Sequence, residues 1–418
     1  MKGIPCCTRF VVPMLGTLLF ACAAFGATNE AVLYSFQGGA DGFNPESGLV
    51  ADASGNLYGS TNGQNGSNRG TVFELAAPSQ VDGKWTETVL YDFGGINDGS
   101  QPIGNLIFDA NGNLYGVTQS GGTQNSGTVY ELSPPSQPGG LWTETVLYNF
   151  LGKSDGAGPS AGLVFDALGN LYGTTFGGGT SSCDCGTVYE LSPPQQSGNS
   201  WTKITLHTFS GSLPRGTDGA QPNSSLIIDS RGDLFGTTES GGSAANIGTF
   251  FVLRQSDGAW HENVLYAFSS AFGGNPNGGL VVYHGNFYGT DSNYGGHQFG
   301  TIFEISPPSG GRNWSVTALY SFAGGNDADP FGPMAVDSAG NLYGTALGDR
   351  QHQDYGSVFK LSPGPGGSWT ETTVYNFKGD PDGQYPYSGL IFGKAGALYG
   401  TTQYGGASNY GAVFGILP

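Results

Sequence analysis

The side chains best equipped for chemistry fall late in the chain, in short Gly-rich loops. Tyr294, His297 and Phe299 stand close together. His352 and Tyr355 follow, then Tyr385 and Tyr387, then Tyr404 and Tyr410. Aromatic rings set among Asp, Asn and Gln suit a sugar, because a ligand site joins apolar faces to a few placed polar groups. These nine residues are the candidate ligand-binding set. The plainer reading is that the rings pack between loops. A ligand site predicts them clustered around a pocket, and a structural role predicts them buried.

A second set is acidic. Asp-Gly-x-x-Pro recurs at Asp41, Asp98, Asp155, Asp218 and Asp382, with Asp327-Ala328-Asp329-Pro330 in the same place once and Asn275-Pro276-Asn277-Gly278 once. Asp-Gly forms turns and Pro fixes the entry to the next segment, so structure alone accounts for the motif. Ca²⁺ needs six to eight oxygens. Isolated aspartates are too sparse for it, and the denser pairs Asp327/Asp329 and Asp380/Asp382 are the local candidates. Neither is a complete calcium loop, so the expectation is no cofactor, with Ca²⁺ as the possible exception.

Of five cysteines, only Cys183 and Cys185 lie beyond the N-terminal segment. They are a disulfide candidate, expected to tighten one loop. The five histidines show no metal-ligand spacing. No nucleophile elbow, phosphate loop or dinucleotide fingerprint stands in a strand–turn–helix context, so no catalytic residue is assigned. An enzyme would require carboxylates or a histidine converging from distant parts of the chain.

The elements that must position these residues repeat. Gly-Asn-Leu-Tyr-Gly or a close variant begins at Gly55, Gly112, Gly169, Gly232, Gly285, Gly340 and Gly396. A fixed period of this size marks a repeat architecture. Each unit offers four runs rich in Val, Thr, Leu, Tyr and Phe, bounded by Gly, Pro and Asn, which read as antiparallel strands, here named a to d. Strand a ends in Asp before a tight turn, as in Leu163-Val164-Phe165-Asp166. Strand b carries Leu-Tyr-Gly-Thr-Thr and strand c Gly-Thr-Val-aromatic. Strand d is Trp-Thr-Glu-Thr-Val-Leu-Tyr-x-Phe, as at Trp142 to Phe150. His207 takes the Tyr place of one d strand and is expected in the core.

Seven four-stranded units predict an all-β, seven-bladed β-propeller, whose radial repetition leaves only short edges. The first strand, Ala31 to Phe36, has the d pattern, and the last, Gly411 to Phe414, has the c pattern. The N-terminal strand is therefore expected to complete the seventh blade. In such a blade the d–a and b–c loops share one face, the top, which carries both candidate sets.

These motifs resemble the GloVer tandem-repeat proteins of bacteria over roughly Ala31 to Leu417. The Asp-x-x-Gly-Asn-Leu-Tyr core is also similar to two-component-regulator and NHL propeller repeats. The resemblance implies an exported propeller and brings no catalytic residues.

Composition agrees with this frame. Gly (75) and Pro (23) are abundant but periodic, and 13% of residues are aromatic, which favours packed β structure over disorder. Lys plus Arg number 14 against 32 Asp plus Glu. Nucleic acid and anionic membranes, which require a basic footprint, are excluded as partners. Lys2 and Arg9 precede an apolar run, Phe10 to Phe20, so residues 1–27 read as a signal peptide and 28–418 as one propeller domain. Lipid anchoring through Cys22 is the lesser alternative. The expected product is exported, monomeric and without a transmembrane span. It would bind carbohydrate or protein, with an adhesive envelope protein or a polysaccharide or lactone hydrolase or lyase as alternatives.

Overall fold

The computed structural model describes residues 30–418 except 64–68, 81–82, 96, 138, 180–182, 197–198, 212–217, 244, 271–272, 294 and 311–312. Residues 1–29, which include Cys22, and Tyr294 lie outside the described residues, so the signal-peptide and lipid-anchor expectations fall there.

Seven four-stranded antiparallel blades follow one another, numbered here by the order of their Gly-Asn-Leu-Tyr-Gly motifs. In blade 3, strands a to d are Val164–Phe165, Leu171–Thr175, Thr187–Ser192 and Thr202–Thr208, paired in that order. Blade 7 takes a, b and c from Ile391–Phe392, Leu398–Thr402 and Ala412–Ile416. Its fourth strand is Glu30–Ser35, antiparallel to Ala412–Ile416. The ring closes as the end strands predict.

In five blades the opening turn is set by an aspartate, Asp52, Asp109, Asp166, Asp229 or Asp337; blades 5 and 7 have Tyr283 and Gly393 in its place. Asp166 Oδ1 accepts from the Leu168 and Asn170 amides at 2.8 and 2.9 Å, and Oδ2 accepts from Asn170 Nδ2 and the Tyr172 hydroxyl at 2.8 and 3.2 Å. Asp-x-x-Gly-Asn-Leu-Tyr is thus one hydrogen-bonded unit. The Gly that follows Tyr in strand b is needed for close approach. A Cβ on Gly173 would lie 2.5 Å from the Tyr189 hydroxyl and 3.0 Å from Leu163.

The core lies between blades, in seven apolar clusters, one at each boundary. The Phe ending each d strand meets the c-strand ring of the next blade, with centroids 5.0–5.2 Å apart. The pairs run from Phe36–Phe73 through Phe150–Tyr189 to Phe377–Phe414. Outside them, five of the six d-strand Trp residues lean on the b-strand aromatic of the preceding blade, as Trp201 on Tyr115 and Trp260 on Tyr172. Trp85 of blade 1 does so on Tyr399 of blade 7, so this contact also crosses the closure. A single blade could bury neither of its faces, and the ring buries both.

Candidate functional site

The loop from strand d into strand a fixes what faces the central channel. The residue before the loop proline adopts a left-handed backbone in every blade: Asn44, Gln101, Gly158, Gln221, Asn275, Asp329 and Tyr385, with φ between 55° and 60°. Where described, its amide donates to a carbonyl of the preceding blade's b–c loop, as Gln221 to Cys185 at 2.7 Å and Tyr385 to Tyr355 at 2.8 Å. The proline then sits on the glycine that opens the preceding blade's c strand. A Cβ on Gly70 would lie 2.4 Å from Pro102 Cδ, and one on Gly186 2.7 Å from Pro222 Cδ. Locked from both sides, the next residue projects into the channel.

Those next residues are Glu46, Ile103, Ser160, Asn223, Asn277, Phe331 and Tyr387, and all seven line one cavity of about 420 Å³. Gln119, within its b strand, and Phe176 and Glu239, just past theirs, also line it. The floor is glycine-rich because neighbouring a strands touch there. A Cβ on Gly104 would lie 2.6 Å from the Gly162 nitrogen, and one on Gly332 2.6 Å from that of Gly389.

The wall is asymmetric. Phe331 and Tyr387 meet in a tilted contact, with centroids 4.2 Å apart at 39°. Glu46 accepts from Asn62 Nδ2 at 2.7 Å and Gln403 Nε2 at 2.5 Å. Burial pushes the Glu46 carboxyl up despite these donors and the Arg350 charge. Burial alone does the same to Glu239, three blades away around the ring. The Tyr387 phenol is also raised, by burial and then by Glu46, with Glu239 adding to it and Arg350 opposing. A carboxyl whose pKa is raised keeps its proton to a higher pH, and the protonated form donates a hydrogen bond as well as accepting one.

The structure divides the eight aromatic and histidine candidates that lie among the described residues. Tyr387 lines the cavity. Tyr385 and Tyr404 meet edge to face at 6.2 Å, with the Arg350 guanidinium 4.7 Å from the Tyr385 centroid, on the top face. Phe299, Tyr355 and Tyr410 share one packing role against a glycine of the d–a loop. They lie where a Cβ on Gly324, Gly379 or Gly38 would stand. His297 is exposed, and the exposed His352 contacts Asp349 at 2.6 Å.

The acidic candidates are tied to local donors. Asp382 accepts from the Tyr375 hydroxyl at 2.8 Å and from the Lys378 and Gly383 amides at 3.0 and 2.7 Å. Asp327 accepts from the Ser357 and Thr373 hydroxyls. Asp329 is the left-handed residue of its loop, and Asp380 is exposed. Cys183 and Cys185 form a disulfide. No helix among the described residues is long and apolar enough to cross a membrane.

Sequence reasoning missed Glu46, Glu239, Phe176 and Phe331. A signal existed. The position after the loop proline, which holds Glu46 and Phe331, and the position after the last Thr of the strand b motif, which holds Phe176 and Glu239, both differ from blade to blade while their neighbours repeat.

The family model of the Gloeobacter/Verrucomicrobia repeat matches residues 16–139 and 137–330. No curated protein matches the chain. Among solved structures, the chain is similar to a periplasmic gluconolactonase of Pseudomonas aeruginosa, at 15% identity and a TM-score of 0.52, over 86% of this chain and 95% of that one. It is also similar to a protein of unknown function from Dyadobacter fermentans, at 10% identity and a TM-score of 0.45, over 93% and 98%. A putative oxidoreductase (glucose dehydrogenase) of Thermus thermophilus matches at 17% identity and a TM-score of 0.43, over 78% and 98%. At such identities the likeness is one of fold.

Proposed function

This chain belongs to the Gloeobacter/Verrucomicrobia repeat family, and we propose that it is an exported binding module that takes a small neutral saccharide in the central cavity. The observation that carries this reading is the wall itself. Aromatic faces, amides and two carboxyls meet where two rings of variable positions, one after the loop proline and one after the strand b motif, border the same cavity. A cavity of about 420 Å³ lies within the usual range for small-molecule sites, roughly 300–1,000 Å³. Phe331, Tyr387 and Phe176 offer flat apolar faces to a sugar ring. Asn223, Asn277, Gln119, Glu46 and Glu239 offer donors and acceptors to its hydroxyls. The Lys2 to Phe20 segment and the family support export. Tyr385 and Tyr404, at the top face, extend the surface a longer oligosaccharide would meet.

The test is a melting and calorimetry panel on the chain from Thr28, with neutral mono- and disaccharides beside acidic sugars. A ligand at about 100 times its Kd stabilises by roughly 2.7 kcal/mol. A neutral sugar should raise the midpoint, and Phe331→Ala should remove the shift. If no sugar acts at tens of millimolar, the adhesive envelope reading takes its place.

The raised carboxyls of Glu46 and Glu239 favour a second reading, hydrolysis of a glycosidic bond by a general acid and a general base facing one cavity. New reducing ends from a bound oligosaccharide, lost in Glu239→Gln, would select it over binding alone.

A further inference from the structure

At the outer rim, the blade boundaries share a three-part arrangement. It consists of a d-strand aromatic, the d–a loop Asp beside it, and the residue two after Trp on the next blade's d strand. Glu87 faces Tyr34 and Asp41, Glu144 faces Tyr91 and Asp98, and Glu371 faces Tyr320 and Asp327. Between blades 4 and 5 the loop has no such Asp, and the third position is the apolar Val316. Two boundaries depart in opposite ways.

Between blades 2 and 3 the third residue is Lys203. Its Nζ lies 2.9 Å from Asp155 Oδ1, 2.6 Å from the Asp155 carbonyl and 2.8 Å from Thr205 Oγ1, with the side chain 4% exposed. The chain builds a buried cation into this boundary. Between blades 3 and 4 the third residue is Glu262, and the phenol is replaced by His207. The other six d strands have Tyr34, Tyr91, Tyr148, Tyr266, Tyr320 and Tyr375 at this place. This boundary therefore gathers an imidazole and two carboxylates where its neighbour holds an ammonium.

We propose that His207, Asp218 and Glu262 bind one divalent transition-metal ion of the Zn²⁺ class at the boundary between blades 3 and 4. One ligand atom from each lies within 4.8 Å of the others. His207 Nε2 is 3.4 Å from Asp218 Oδ1. Bonds of about 2.0–2.2 Å set neighbouring ligands roughly 3.0–3.5 Å apart, so a small rotation of Glu262 closes the set. Glu262 Oε1 is shut from solvent without a hydrogen-bond partner, and an ion would satisfy it. Asp218 is oriented from behind by the Ser210 amide and hydroxyl at 2.8 and 2.9 Å and the Gly219 amide at 2.7 Å, the second layer of contacts that metal ligands require. An imidazole beside carboxylates selects Zn²⁺, Fe²⁺ or Ni²⁺ over Ca²⁺, which takes oxygen ligands. Three protein ligands leave further positions for water.

The experiment titrates metal-stripped protein with Zn²⁺ by calorimetry, with Ca²⁺ in parallel, and follows Co²⁺ by its visible absorption. One equivalent of Zn²⁺ should bind, Ca²⁺ at least about tenfold more weakly, and Co²⁺ should develop ligand-field bands. His207→Tyr restores the residue of the other six d strands, so the variant should melt as a folded propeller. It should lose the stoichiometric binding and the Co²⁺ bands. Glu262→Gln should weaken Zn²⁺ at least about tenfold. Substoichiometric binding to the parent, or Zn²⁺ binding unchanged in His207→Tyr, overturns the site. Loss in His207→Tyr with no change in Glu262→Gln overturns the three-ligand arrangement.

Discussion

Two positions in each blade, one at the channel and one at the rim, behave in opposite ways. The residue after the loop proline is Glu, Ile, Ser, Asn, Asn, Phe and Tyr around the ring. The d-strand residue at the rim is Glu in five blades of seven, counting Glu30. At four boundaries Glu serves at the rim position and meets a Tyr and a loop Asp. The channel position faces a space shared by all seven blades. A small ligand has no sevenfold symmetry, and a repeating wall could not tell one face of it from another. Recurrence therefore marks what holds the ring together, and its failure marks what can recognise something.

The largest way to probe the rim is to remove one boundary. Deleting residues 28–36 takes away the fourth strand of blade 7 and with it Phe36, which is fully buried. Losing one buried Phe costs about 3–5 kcal/mol by itself, and the strand's ladder goes with it. A midpoint lower by well over 10 °C is expected in a thermal melt. A truncated protein that melts with the parent would refute the shared blade.

The next probe is pH. Burial, reinforced by the facing aspartate, pushes Glu87 and Glu144 up to about 7 from an ordinary 4.5. Between those values the folded state holds more protons than the unfolded chain, so stability falls as pH rises from roughly 4.5 to 7 and levels off above. A shift of that size is worth roughly 3 kcal/mol per group on paper. The side chains are only half buried, and solvent screening reduces this to about 1 kcal/mol each. The turn aspartates act the other way. Burial raises them, but hydrogen bonds from Asn113 and Asn111 outweigh it and hold Asp109 below its ordinary 3.8, as Asn170 and Leu168 do for Asp166. Their contribution is lost as pH falls below about 3.8. Maximum stability is expected near pH 4–5, in denaturant titrations across pH 3–8. Glu87→Gln/Glu144→Gln should flatten the upper limb by about 2 kcal/mol. A profile flat from pH 4.5 to 7 in the parent would remove the carboxyl pairs from the account of the rim.

Most of the rim was legible in the chain, and most of the channel was not. Gly-Asn-Leu-Tyr-Gly, the Trp of strand d and the d pattern of Ala31 to Phe36 recur at fixed spacing, and recurrence is visible without coordinates. The b–c loop rings drew notice because aromatics are rare in polar loops. Yet Phe299, Tyr355 and Tyr410 cover the d–a loop glycines Gly324, Gly379 and Gly38. Glu46 and Glu239 lie 193 residues apart in sequence and become neighbours of one cavity only through ring closure. His207 shows the same limit. It was expected in the core, and its side chain is 21% exposed at the rim. Its carboxylate neighbours come from a loop 11 residues on and from the next blade, so no metal-ligand spacing could announce them.

The smallest expected effect on stability is the sharpest test of the comparison. Phe331→Ala and Glu239→Gln alter the channel wall, where each side chain borders a cavity instead of a packed seam. Truncating Phe331 removes its contact with Tyr387 and little else that is buried, so the melting midpoint should move by no more than about 1 kcal/mol, against the 3–5 kcal/mol of a core Phe. Glu239→Gln removes a carboxyl that burial already disfavours in its charged form, so it should be neutral or slightly stabilising at pH 7. If the channel is where the repeats diverge for recognition, both variants should lose a bound sugar while melting as the parent does. If instead either variant destabilises the ring as much as a rim substitution, the variable residues are packing the channel, and divergence there reflects the filling of an irregular space.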